Sequence, residues 1–171
     1  MQSSVNISTK TLTQLGIFLA IAIVLRIVEN LFPPLMAIPG ARLGLANILT
    51  IMVLVKFGTD KAGIFLAARI LLVGLLSTGL GTPGFFIGLG GATLSFVFMS
   101  IANEHHWFSP IGLGLLGAFM HNCGQIIVAM HLMQSIVLLN YLPLLIAIGI
   151  PTGFFTGFLA KLLLEKLDML Q

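Results

Sequence analysis

Arg26, Glu29 and Asn30 stand close together inside a long apolar run. Residues three and four apart share a helix face, so a guanidinium, a carboxylate and a carboxamide fall on one side of a helix. These groups bind rather than react. A guanidinium holds an anion through charge-assisted hydrogen bonds, and a carboxamide orients polar edges. The bland alternative is that Arg26 and Glu29 neutralise each other, or that they snorkel to an interface. Arg69 lies alone in the middle of another apolar run, with no acid three or four residues away. A mid-span arginine costs about 2.5–3.5 kcal/mol on insertion scales. Its partner must therefore come from elsewhere: Glu29 on another helix, a carbonyl, or a ligand anion. His121, Asn122 and Gln125 form a third polar stripe, at spacings of three and four. Hydrogen bonding between helices explains that stripe as well as ligand binding does.

Other chemistries are excluded by what is missing. The acids are Glu29, Asp60, Glu104, Glu165 and Asp168, and no pair of them suits diphosphate–metal chemistry. There is no P-loop, so the chain does not hydrolyse nucleotide by itself. Two glycine patterns, Gly79-x-Gly81-x-x-Gly84 and Gly112-x-Gly114-x-x-Gly117, match the dinucleotide fingerprint only as text. That fingerprint needs a preceding strand in a βαβ unit. His121 and His131 are too far apart for one helix turn, and the adjacent His105 and His106 point in different directions, as in a solvated loop. We therefore expect no enzyme, no resident cofactor and no metal. The single Cys123 excludes an internal disulfide.

The elements that position these residues are membrane helices. The 171-residue chain is 58% hydrophobic and 8% charged, with a mean hydropathy of +1.12. Soluble domains carry about 25% charged residues, and no water-facing surface can be built from this composition. A span needs ~20 apolar residues, so the length predicts one integral membrane domain over 1–171 with six helices. Their expected bounds are 11–32, 44–57, 61–78, 85–102, 110–132 and 142–164. Small residues at four-residue spacing (Gly84, Gly88 and Ala92; Gly149, Gly153 and Gly157) predict close helix packing. With the N-terminus inside, Lys10, Lys56, Lys61, Lys161 and Lys166 lie inside and only Arg42 lies outside. The excess of inner positive charge favours both termini in the cytoplasm. The basic residues are scattered, so they signal orientation in a bilayer and not nucleic-acid binding. The proline-framed loop from Pro33 to Arg42 then lies outside, over Arg26, Glu29 and Asn30, with Asn47 just beyond it.

Specific stretches carry a resemblance. They are Pro39-Gly40-Ala41-Arg42-Leu43-Gly44-Leu45-Ala46-Asn47-Ile48, Arg69, Phe108-Ser109-Pro110-Ile111-Gly112, His121-Asn122-Cys123-Gly124-Gln125 and Tyr141-Leu142-Pro143. Through them, nearly the whole chain resembles the Gx transporter family, also called heptaprenyl diphosphate synthase component I. That family is similar in size and layout to the substrate-binding S-components of energy-coupling factor (ECF) transporters. The resemblance implies a six-helix bundle in a prokaryotic cytoplasmic membrane. It implies an outward pocket capped by the loop after helix 1, and Arg26, Arg42, Arg69 and His121 against one buried acid, Glu29, suggest a small anionic or polar ligand for it. It implies as partners a transmembrane coupling subunit and two ATPases. A small-x-x-x-small motif on helix 1 docks on the coupling subunit, and Gly16 and Ala20 fill its two positions here, glycine standing where alanine is usual. Under this reading Arg26, Glu29, Asn30, Arg42, Asn47, Arg69, His121, Asn122 and Gln125 are the binding residues. The synthase name implies the alternative, a non-catalytic membrane accessory subunit of a prenyl diphosphate synthase.

Overall fold

The structure is a computed structural model that describes residues 8–31 and 44–169. Six helices account for most of them: α1 (Thr9–Leu31), α2 (Leu45–Phe57), α3 (Thr59–Val73), α4 (Pro83–Glu104), α5 (Pro110–Met133) and α6 (Leu142–Met169). No strand occurs among the described residues, so the two glycine patterns lack the context a dinucleotide site needs.

Local chemistry sets the helix starts. The Ser8 hydroxyl accepts from the Thr11 N–H at 3.2 Å. Thr82 caps α4 by accepting from the Phe85 N–H at 3.2 Å, and Pro83 occupies the first turn, where its missing N–H costs nothing. Ser109 and Pro110 repeat that arrangement at α5. Gly58 sits at φ 84 between α2 and α3, a conformation a side chain resists. The third expected span reaches Thr78, but the α-helix stops at Val73 and continues as a π-helical turn over Gly74–Thr78. The sixth runs past its expected end, to Met169.

Four segments are long and apolar enough to cross a membrane: Thr9–Glu29, Pro83–Glu104, Pro110–Met133 and Ile136–Met169. The chain is thus a multi-pass membrane protein. α2 and α3 are shorter. At about 1.5 Å per residue, the 13 residues of α2 rise less than the ~30 Å of a hydrocarbon core. α2 instead forms the protein's centre. Ile51, Val53 and Leu54 are fully buried, and α2 packs on α1, α3, α5 and α6. A helix apolar on all sides is a buried helix. The outer apolar side chains, such as Ile17 and Val24 on α1 and Phe154 and Phe158 on α6, are exposed, as lipid-facing residues are.

The most extensive packing joins α4 to α5 and α5 to α6. Glycine permits it. A Cβ at Gly124 would stand 2.5 Å from the Gly90 carbonyl oxygen, and one at Gly157 2.7 Å from the Pro110 carbonyl oxygen. Backbones approach this closely only where side chains are absent. Polar contacts tie one end of the bundle: Lys56 to Asp168 at 2.9 Å, Thr59 to Glu104 at 2.7 Å, and Asn103 to the Leu54 carbonyl at 3.4 Å. The C-termini of α2, α4 and α6 therefore share an end. The C-termini of α1 and α3 and the N-termini of α2 and α4 share the other.

Candidate functional site

At that second end, helix ends and loops bring polar side chains around a cavity of about 160 Å³. α1 brings Arg26 and Glu29 to its wall, and α2 begins there with Gly44, Ala46 and Asn47. α3 supplies Arg69, α5 supplies His121 and Asn122, and α6 supplies a face of small residues and threonines. These positions lie far apart in sequence. The alternating helix directions carry them to the same depth.

Glu29 is 7% exposed and has two partners. Its Oε2 accepts from Arg26 Nη1 at 3.0 Å, the i,i+3 pairing that the spacing predicts. Its Oε1 accepts from the Gly44 N–H at 2.6 Å. That bond joins the end of α1 to the start of α2, and Gly44 makes it from the left-handed region, at φ 72. A residue with a Cβ is strained there. Both oxygens of the buried carboxylate thus carry charge-assisted hydrogen bonds.

Arg69 does not pair with Glu29, one of the partners its position allowed. Its Nη1 donates to the Ala46 carbonyl and to the Thr50 hydroxyl, both at 2.7 Å. The carbonyl alternative is realised, and α3 is bound to α2 by a cationic side chain. Thr50 has no sequence signal beyond being a lone hydroxyl in an apolar helix.

Asn122 donates to the Leu145 carbonyl at 2.8 Å, linking α5 to α6. Gly149 makes room for it, since a Cβ there would stand 2.6 Å from the carboxamide nitrogen. Gln125 is buried but lies outside the cavity lining, and its Oε1 has no hydrogen-bond partner among the described residues. The helical stripe His121–Asn122–Gln125 is therefore divided, with the first two at the cavity and the third between helices. Asn30 belongs to α1, and its side chain lies outside what the structure describes. Arg42 and the Pro33–Arg42 loop lie outside the described residues altogether. Gly16 and Ala20 are exposed near the opposite end, and nothing stands within 4 Å of a Cβ at Gly16.

One expectation needs correction. Gly84 and Gly88 do not pack a neighbouring helix; they line the cavity, and nothing stands within 4 Å of a Cβ added to either. Close approach of α4 to α5 falls to Gly90 and Gly91, further along the helix. The same four-residue spacing that marks packing also marks a face kept clear, and only the neighbour's position separates the two. The aromatic and aliphatic wall (Ile70, Val73, Phe85, Leu89) and the threonines Thr152 and Thr156 have no distinguishing sequence signal. Thr152 and Thr156 return their hydroxyls to α6 carbonyls, as helical threonines do.

No group of three metal-ligating side chains exists among the described residues. The His105–His106 segment is exposed, and His105 stacks on Trp107 with ring centroids 5.1 Å apart. The cavity offers donors, a guanidinium and an imidazole beside an apolar wall. Such an arrangement can hold a small molecule by polar contacts at one side and shape at the other.

A family model described as heptaprenyl diphosphate synthase component I matches residues 18–163. No curated protein and no solved structure matches the chain.

Proposed function

The chain belongs to the heptaprenyl diphosphate synthase component I family, and we propose that it is a membrane-embedded substrate-binding subunit for uptake of a small anionic or polar molecule. The observation that carries this reading is the cavity itself. Arg26, Glu29, Asn47, Arg69, His121 and Asn122 converge on it from four helices, at one end of a bundle whose surface is apolar. Intramembrane ionisable residues that face a cavity mark substrate paths.

In this reading the lysine-rich end faces the cytoplasm of a prokaryotic cell and the cavity opens outward. The subunit performs no catalysis. Energy comes from an ECF-type transmembrane coupling subunit and two ATPases, and the exposed Gly16–Ala20 face of α1 is the docking surface. Arg42 and its loop would cover the ligand. The cavity volume favours a compact ligand. A site near 150 Å³ holds a molecule of about benzene's size, and a heptaprenyl chain is far larger.

The family's name favours a second reading, a non-catalytic accessory subunit that anchors a prenyl diphosphate synthase at the membrane. Native mass spectrometry of the protein purified in mild detergent separates the two. A retained small molecule that is lost in Arg69→Ala supports the binding subunit. Co-purification with a soluble synthase and no retained molecule supports the accessory subunit and removes the first reading.

A further inference from the structure

The charges around the cavity narrow what it admits. Among the described residues, two guanidiniums and one carboxylate line it. Arg26 and Glu29 are in contact and neutralise each other. Arg69 touches no carboxylate among the described residues; both of its hydrogen bonds run from Nη1 to neutral oxygens. Neutral oxygens satisfy N–H groups but leave the charge in place. A guanidinium carries five N–H donors, and Nη2 and Nε have no partner among the described residues. A partly buried charge with no carboxylate in contact is destabilising. A bound anion removes that cost and takes up the free donors.

We infer that the cavity takes a small monoanion of the carboxylate class, held at Arg69, with a compact apolar body against Ile70, Val73, Phe85 and Leu89. This rests on the binding-subunit reading above. Among the described residues, two positive groups against one negative leave a single positive charge, which one carboxylate balances. A phosphate dianion or a diphosphate brings negative charge that the described walls of the cavity do not neutralise. A planar carboxylate also matches the fork of a guanidinium, accepting two parallel bonds. The apolar wall and the volume of about 160 Å³ suit a body of one ring or a short chain.

The test uses the detergent-purified chain at pH 8, above the ordinary histidine pKa of about 6.5, so that an imidazole adds no charge. Three probe sets are titrated: benzoate, cyclohexanecarboxylate and hexanoate; the three matching amides; and inorganic phosphate and pyrophosphate. The readout is the thermal unfolding midpoint, which rises with any ligand that binds the folded state. At least one monocarboxylate is expected to raise it saturably, with its amide about tenfold weaker or worse and the phosphates without effect. Arg69→Gln should abolish the carboxylate response. Glu29→Gln frees Arg26 and adds one positive charge, so phosphate should begin to bind. If Arg69→Gln does not fold, the acid–amide comparison and Glu29→Gln decide alone. An amide equal to its acid, or pyrophosphate stronger than every carboxylate on the unaltered chain, overturns the inference. So does a small molecule retained in native mass spectrometry with no response to any carboxylate, and in that case the binding role stands. No retained molecule and no response to any probe overturns both.

Discussion

Glu29 is the side chain whose loss should be felt most, because its two oxygens join two helices and a cation. In Glu29→Gln the amide oxygen can still accept from the Gly44 N–H, but the Arg26 pair is lost. Removing one partner of a buried ion pair costs about 3–5 kcal/mol. Arg26 keeps 14% side-chain exposure, so water reaches part of the freed guanidinium, and the loss should resemble that of one hydrogen bond to a charged group, about 1.5–3 kcal/mol. Glu29→Ala removes the acceptor of Gly44 as well and leaves a backbone N–H unsatisfied, for a total of about 3–5 kcal/mol. Arg26→Met combined with Glu29→Gln removes the orphaned cation and should be more stable than Glu29→Gln alone. Reversible unfolding in mixed micelles by increasing SDS, followed by helical circular dichroism, measures all three. The reasoning fails if Glu29→Gln lies within about 0.5 kcal/mol of the parent, or if Glu29→Ala is no worse than Glu29→Gln. Either result would mean that the carboxylate does not clasp α1 to α2.

Three further outcomes are expected. A Cβ at Gly88 meets nothing within 4 Å and the residue lines the cavity, so Gly88→Leu should fill the cavity and abolish retention of a small molecule in native mass spectrometry while leaving the unfolding midpoint at or above that of the parent. Gly157→Ala meets backbone on α5 that cannot swing aside, and should destabilise by about 1–3 kcal/mol in the SDS titration, whereas Gly16→Ala, open on its side, should be neutral or stabilising by up to about 1 kcal/mol. Lys56→Met should change stability by no more than about 1 kcal/mol, because its partner Asp168 is 71% exposed at the side chain; a larger loss would show that the contact closes the lysine-rich end.

Much of the molecule is legible in the sequence because the bilayer limits the choices. Backbone groups in lipid must bond within their own segment, so an apolar composition with Gly–Pro breaks already means helices. Helix spacing alone predicts the Arg26–Glu29 pair, since the two side chains are neighbours on any helix. It also predicts an embedded Arg69 in need of a partner, because no local residue can serve. Tertiary structure decides which partner is taken. Arg69 reaches α2 and not Glu29, because the start of α2 lies against α3 at that depth and Gly44 has already engaged the carboxylate. It decides that Asn122 faces the cavity while Gln125, one turn on along the same stripe, is enclosed between helices. It decides that Gly84 and Gly88 leave a space empty while Gly124 and Gly157 fill one with backbone. Hydropathy ranks α2 as a short span, yet its place at the centre makes it the core on which the other helices rest. Periodicity specifies which residues share a face of a helix. What that face meets depends on contacts between elements distant in the chain, and no local pattern encodes them.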